Sequence, residues 1–397
     1  MQSPSFQKEN IFFMLGHFST DLAHGSLPVI LAYMYQAGHI TSYSQIALLL
    51  MANTFINALV QPLAGSLSDA KPRPYLMSIG ILLSFLGVMF IGVVHNELLL
   101  YCLVCVNGLG SAIFHPAGGK MANIFGKAKL GKNMSIFSVG GNAGMAIGPF
   151  YFTGLYLIFS LNATLLMCIP GIIMIIIFLY KNRYYYVMAK REQDLVKNAQ
   201  KNNVEQEDRR GFLLLLLLLF LRSSGWFSLT AFLSLYYMHS FGVQDEIASI
   251  INGVVFIFGT LATFLGGTIS DLFGFRKLIV VSSFASLPFI FIFVLSHNPI
   301  LSTMGLIPFA FLFFTAMSPC VVLGQKFLCH HVGMSTGFTI GLSMSFGGMI
   351  APLLGKVGDS YGIENIMYIV CALICFASLS TLLLPKTKES QSNCEDK

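Results

Sequence analysis

The sequence predicts an all-α integral membrane protein built as two six-helix bundles, and three observations carry that reading. Of its 397 residues 55% are hydrophobic and 10% charged, with a mean hydropathy of +0.74, whereas a soluble chain carries about a quarter charged residues. Twelve apolar stretches follow one another, each near the ~20 residues needed to cross ~30 Å of hydrocarbon. Gly65-Ser66-Leu67-Ser68-Asp69 returns 202 positions later as Gly267-Thr268-Ile269-Ser270-Asp271, and Pro116/Pro319 and Pro149/Pro352 keep an offset of 203. Matched landmarks at one spacing indicate a duplicated half, the plan of secondary transporters whose substrate site lies between the repeats.

Taken in order, the first six stretches fall at 11–37, 43–67, 75–95, 98–123, 132–157 and 161–181. The second six fall at 211–238, 247–270, 277–296, 299–323, 334–356 and 364–384. The first is too long for a signal peptide and lacks a small-residue cleavage pattern behind a basic start, so it is read as helix one. Very short turns at His95-Asn96 and His297-Asn298-Pro299 separate helices three from four and nine from ten. The domain plan is a bundle over 1–181, a polar linker over 182–210, and a second bundle with its tail over 211–397. Lys181 to Arg210 holds eight Lys/Arg against five Asp/Glu and opens on Tyr184-Tyr185-Tyr186, an interfacial start whose bases attract anionic lipid headgroups.

Lys and Arg are retained on the cytoplasmic side during insertion. With the N-terminus inside, the inner loops carry Lys71, Arg73, Lys127, Lys129, Lys132, Arg276, Lys277 and Lys326, and the tail adds Lys386, Lys388 and Lys397. The outer turns near 38–44, 95–98, 157–162, 239–246 and 297–299 have none. Both termini are therefore expected in the cytoplasm, with the chain in a plasma membrane. The net charge of +6 is spread over several loops, which argues against a nucleic-acid partner.

Most of the eight cysteines sit inside apolar stretches as small hydrophobes, and Cys102-x-x-Cys105 has no His or acid at ligand spacing, so no metal site or cofactor is expected. No Gly-x-x-x-x-Gly-Lys-Ser/Thr loop is present, so ATP is not the direct energy source. A membrane enzyme would need paired carboxylates or a nucleophile with a base at hand, and neither pattern occurs.

Ionisable residues inside hydrocarbon cost roughly 2.5–3.5 kcal/mol each and tend to mark pathways. His17, Asp21 and His24 recur at i, i+4, i+7 on one face of helix one. Arg222 stands at the equivalent depth of helix seven, 201 positions after Asp21, with Trp226, the sole tryptophan, one turn on. Helix four adds His115-Pro116 and Lys120. If helices one, four, seven and ten line a central cavity, these residues converge there and Asp21 lies opposite Arg222. The alternative is that Asp21 and His17 bond within the first bundle while Arg222 reaches an interface. Helix five carries Gly140-Gly141-Asn142-Ala143-Gly144 and Gly148-Pro149, and helix eleven Gly347-Gly348 and Pro352, small residues that let helices pack backbone to backbone.

The loop pattern Gly65, Asp69, Arg73 and its copy Gly267, Asp271, Arg276 resembles the gating motif of the major facilitator superfamily, with Ala70-Lys71-Pro72 where that family often has Arg and Gly. Gly16-His17-x-x-x-Asp21, Gly108-x-Gly110-Ser111-x-x-Phe114-His115-Pro116 and Phe137-Ser138-Val139-Gly140-Gly141-Asn142-x-Gly144-x-x-x-Gly148-Pro149 resemble the fosmidomycin-resistance family within it. Ala117-Gly118 departs from that family's acid and small polar residue, so no proton role carries over there. The resemblance implies proton-driven export of small molecules from a bacterial cytoplasm. Asp21, His17, His24 and His115 are then the proton-coupling candidates. Arg222, Trp226, Lys120 and Asn142 are the candidates for binding an anionic or zwitterionic cargo such as a phosphonate drug. Export of an endogenous siderophore or metallophore is the alternative, and direction itself is not written in the residues.

Overall fold

The computed structural model describes residues 4–201 and 206–386; among them the chain is helical throughout, with no strand. Tail residues Lys388 and Lys397, part of the orientation argument, lie outside the described residues. In order come α1 (Pro4–Gln36), α2 (Tyr43–Ala70), α3 (Tyr75–Met89), α4 (Glu97–Gly126), α5 (Leu130–Phe159) and α6 (Ile169–Lys201). There follow α7 (Arg209–Phe241), α8 (Asp245–Phe273), α9 (Phe275–Leu295), α10 in two pieces (Pro299–Thr315 and Met317–Phe327), α11 and α12 (Ile363–Ser380). α11 is composite: Val332–Thr336, a π-helical turn over Gly337–Leu342, then Ser343–Tyr361.

Helix ends follow local chemistry. The side chains of Asn96 and Asn298 cap α4 and α10, accepting from Leu99 N at 3.0 Å and Ile300 N at 2.8 Å. These caps also lie 202 positions apart, a further repeat landmark. Gly274 at φ +90° and Gly362 at φ +91° are the single-residue joints between α8 and α9 and between α11 and α12, a conformation that a Cβ disfavours. α10 breaks at Ala316 because Pro319 has no N–H for the carbonyl of Thr315, four residues back.

Among the described residues one buried core runs from Phe13 to Ala189 and takes in Val321 and Val322 from the second half, with Phe275 and Ile340 packed against it. Two more, Trp226 to Ile374 and Phe212 to Leu384, lie wholly in the second half. Large apolar side chains also point outward: Phe150, Leu157 and Leu272 are 78%, 80% and 76% exposed, as suits a surface facing lipid. Nine stretches among the described residues are long and apolar enough to cross a membrane, one of them, 130–198, running through both α5 and α6.

The predicted linker is shorter than its composition suggests. α6 continues through residues 182–201, because Tyr185 is fully buried and its hydroxyl donates to Glu9 of α1 at 2.6 Å. Further along, Glu192 pairs with Lys127, and Gln193 donates to the carbonyls of Asp69 and Ala70 at 3.2 and 2.9 Å. The extension is thereby tied to the ends of α2 and α4.

Candidate functional site

The polar stripe of α1 meets α4 and α5 in the first half. Asp21 Oδ2 lies 3.1 Å from His17 Nε2, and Asp21 Oδ1 lies 3.0 Å from His115 Nε2. All three residues are buried, at 4%, 8% and 6% exposure for His17, Asp21 and His115. The glycines of α5 make this possible: a Cβ on Gly141 would stand 2.5 Å from His17 Nε2, and one on Gly144 would stand 2.3 Å from the carbonyl of Phe18. With the two backbones so close, the Phe137 carbonyl lies 2.7 Å from His17 Nδ1, and the Phe137 ring stacks on the imidazole at 4.2 Å.

These contacts determine where protons sit. A carbonyl only accepts, so His17 Nδ1 carries hydrogen and donates to Phe137. Its Nε2 then has a lone pair unless the ring is doubly protonated, and a lone pair does not bond to a carboxylate oxygen at 3.1 Å. One proton must therefore lie between His17 and Asp21. On the other side Asn57 Nδ2 donates to Ser111 Oγ at 3.3 Å, and Ser111 Oγ lies 3.2 Å from His115 Nδ1, donating to a neutral ring and accepting from a doubly protonated one. In both forms His115 donates from Nε2 to the Asp21 carboxylate at 3.0 Å. The ligand atoms of His17, Asp21 and His115 lie within 4.8 Å of one another, close enough for a small cation, but both nitrogen–oxygen contacts already have the length of hydrogen bonds.

The halves join at the end that carries Lys71, Arg73, Lys127, Arg276 and Lys277, hereafter the basic end. Asp69 accepts the backbone N–H groups of Gly333 and Met334 at 2.9 and 2.8 Å. Asp271 accepts those of Gly131 and Lys132, both at 2.8 Å. Each acid thus caps a helix of the opposite half. Gly65 packs on Gly333 and Gly267 on Gly131, so tightly that a Cβ would stand 2.5 and 2.1 Å from the facing carbonyls. Ser135 Oγ donates to the Thr263 carbonyl at 2.7 Å, closing the α5–α8 side. Arg276 holds the Leu384 carbonyl at 2.7 Å, and Arg73 is half-buried in the 71–74 turn.

Of the remaining candidates, Lys120, Arg222 and Trp226 do not converge on Asp21, whereas His24 lies beside it on α1. Lys120 pairs with Asp69 at 2.9 Å and donates to the Ser68 carbonyl at 2.7 Å, so it stands in the basic-end closure and away from Asp21. It borders a cavity of about 270 Å³ there, with Asp69, Glu192 and His331 also in the wall. Arg222 turns into its own bundle: it donates to Ser283 Oγ at 3.3 Å and to the Phe313 carbonyl, with its guanidinium 4.0 Å from the Phe313 ring centre. The expected Asp21–Arg222 pairing is replaced by histidines on one side and neutral acceptors on the other. Trp226 stacks on the far-helix ring of Phe313 at 5.4 Å and meets Phe314 edge-on at 4.6 Å. His24 and Asn142 are half-buried, and His24 Nδ1 and Asn142 Nδ2 have no hydrogen-bond partner. Sequence reasoning missed Asn57 as a partner of the cluster and Ser111 as more than part of a motif; their only advance signal was being polar in apolar helices.

The sequence profile of the Major Facilitator Superfamily matches residues 13–333. An uncharacterized MFS-type transporter of Bacillus subtilis (strain 168), YfnC, is 26% identical over 390 residues, covering 96% of this chain and 95% of the relative. The Fosmidomycin resistance protein of Escherichia coli (strain K12) is 24% identical over 380 residues, covering 94% and 92%. Among solved structures, the superfamily transporter FucP in its outward conformation superposes with a TM-score of 0.74 at 14% identity, over 96% of this chain and 100% of that one. The proton:xylose symporter XylE gives 0.72 at 13%, over 96% and 97%. With the inter-half closure and the buried polar cluster, these likenesses make the chain a multi-pass membrane transporter that belongs to the Major Facilitator Superfamily.

Proposed function

We propose that the protein is an antiporter of a bacterial plasma membrane, exporting a small anionic or zwitterionic molecule, such as a phosphonate drug, as protons move inward. The chain crosses the membrane twelve times with the basic end and both termini in the cytoplasm, its loop cations beside anionic lipid headgroups. The observation that carries the coupling is the single proton required between His17 and Asp21. When it leaves, a carboxylate faces an imidazole lone pair and the contact opens; when it returns, the contact closes again. Protonation and an arrangement of helices are thereby linked.

Closure at the basic end corresponds to the outward-facing stage of such a cycle, in which the cluster loads its proton from outside. Arg222 is the cargo-attracting group of this reading. Its named partners are a hydroxyl, a carbonyl and a ring, none of them acidic, and a buried guanidinium is a strong site for carboxylate or phosphonate. Trp226 and Phe313 supply apolar surface beside it. The relationship to a fosmidomycin resistance protein supports the phosphonate class.

The test is reconstitution. Purified protein in liposomes loaded with fosmidomycin should release the drug when an opposing proton gradient is imposed and should move protons in a drug-dependent way. Drug movement indifferent to the gradient would remove the coupling.

A further inference from the structure

We infer that Asn57 is a positioning residue that transmits the proton state of the His17–Asp21–His115 cluster to the closure at the basic end. The inference rests on the proton-coupled reading above. One stripe of α2 carries residues 57, 61, 65 and 69, four apart, and so one turn above another over roughly 18 Å. Its lower half is the closure: Asp69 caps α11, and Gly65 lies on Gly333. Its upper end is the Asn57–Ser111–His115–Asp21 chain, with links of 3.3, 3.2 and 3.0 Å.

Gln61, between them, fills a notch in the π-helical turn of α11: a Cβ on Gly341 would fall 1.0 Å from Gln61 Oε1, and one on Gly337 would fall 2.6 Å from the Gln61 carbonyl. A single helix thus reaches the proton cluster through Ser111 at one end and grips α11 over its next three turns. The stripe's polar atoms are also poorly served. Asn57 Oδ1 and both amide atoms of Gln61 are buried without a hydrogen-bond partner. Such groups cost free energy in a static role and suit a helix that exchanges partners when it shifts.

The neighbouring amide shows the contrast. Asn53, one turn earlier, donates to the Val104 carbonyl at 2.7 Å and to Asn107 Oδ1 at 2.9 Å, a satisfied clamp between α2 and α4 whose Asn107 also bonds His24. The titratable groups around the cluster are His17, Asp21 and His24 from α1 and His115 from α4. The named contacts from α2 and α5 are an amide, a backbone carbonyl and glycine. A shift of His115 on proton loss therefore reaches α2 through Ser111 and Asn57.

Labelling at the closure reads this directly. Thr336→Cys places a thiol at a fully buried position of α11 that faces Gly119 of α4 across the two halves, and its reaction with a maleimide in purified full-length protein can be followed by mass spectrometry of that peptide. Divided at each pH by the rate of the same thiol in denatured protein, which removes the thiolate dependence of the maleimide reaction, the rate should change about tenfold between about pH 5 and pH 8 in the otherwise unaltered protein. Asn57→Leu, or Ser111→Ala, should reduce that change to less than about twofold, with the double variant no worse than either alone. Asn57→Gln should restore it in part. A full pH response in Asn57→Leu and Ser111→Ala overturns the role of Asn57 and leaves the proton cluster standing. A pH-independent rate in the parent overturns both.

Discussion

Asn123 and Gln325 lie 202 positions apart and hydrogen-bond to each other, Nδ2 to Oε1 at 2.7 Å. Pro116 and Pro319 of the same helices are offset by 203, so Asn123 and Gln325 stand within one position of equivalence, and such residues of two repeats touch only close to the axis that relates them. The pseudo-two-fold axis thus emerges at the basic end, flanked by Asp69 and Asp271. The symmetry ends at Lys120, which pairs with Asp69, while the position 202 residues later is Val322. Gln325 also donates to Thr336 of α11 at 2.9 Å, so the axis contact and the Asp69 cap hold the same helix.

The first prediction concerns this closure. Asp69→Asn keeps one acceptor but loses the charge, one N–H bond and the Lys120 pair. A charge-assisted hydrogen bond is worth about 1.5–3 kcal/mol, so the open-to-closed ratio at the basic end should rise on the order of tenfold to a hundredfold. Asp271→Asn should act in the same direction by less, because Lys120 lies on the other side. Maleimide labelling of Thr336→Cys measures both; rates equal to the parent's would show that the caps do not hold the halves together.

Proton coupling should fail in a specific way. In Asp21→Asn the amide donates to His17 Nε2 and its oxygen accepts from His115, a fixed imitation of the proton-loaded cluster. Gradient-driven export should fall by roughly tenfold or more, with labelling at the closure low and flat with pH. His115→Gln keeps a donor toward Asp21 and should retain more export than His115→Leu. Because the cluster holds its proton at low pH and loses it as pH rises, the parent should be most closed at the acidic end of the range. Export by Asp21→Asn with an unchanged gradient dependence would place coupling elsewhere.

The duplication was legible because glycine, aspartate and proline constrain backbone, and backbone constraints survive in both halves. Asp69 and Asp271 could be paired by counting; that each caps a helix of the opposite half could not, because the partners are N–H groups of any residue. The i, i+4 spacing brought His17 to Asp21 directly. Lys120 illustrates the limit: it lies five residues past His115, which rotates it about 140° and moves it roughly 7.5 Å along α4, out of the cluster and into the closure. For Arg222 the sequence indicated depth but not azimuth, and the Phe313 ring and carbonyl fix the azimuth toward its own bundle. The length of α6 was hidden by charges that read as linker but face partners such as Lys127.

Orientation is open to a direct check. Ser42 caps α2 at one end of the molecule, accepting from Gln45 N at 3.1 Å, and Asn198 is exposed near the end of α6 at the other. In intact cells Ser42→Cys should react with an impermeant thiol reagent and Asn198→Cys should not. The reverse pattern would invert the topology and turn the closure toward the outside.

The last prediction separates two roles of Arg222. As it stands, the guanidinium holds the Phe313 carbonyl near the break in α10, a helix C-terminus where a positive charge is favourable. Arg222→Lys retains the charge for that helix end but loses the planar fork that matches carboxylate or phosphonate. It should fold with near-parent thermal stability and bind fosmidomycin more weakly. Arg222→Gln removes the charge as well, and drug export should fall roughly 10- to 150-fold, the range that corresponds to about 1.5–3 kcal/mol for a charge-assisted hydrogen bond. Membrane abundance and melting temperature must be matched across the three proteins, because loss of the Phe313 contact alone would lower both. A purely structural arginine would give falls in stability that track falls in export, equally for anionic and neutral cargo. A cargo-binding arginine would give a loss for anionic cargo that exceeds the loss for neutral cargo at equal stability, and that difference decides the assignment.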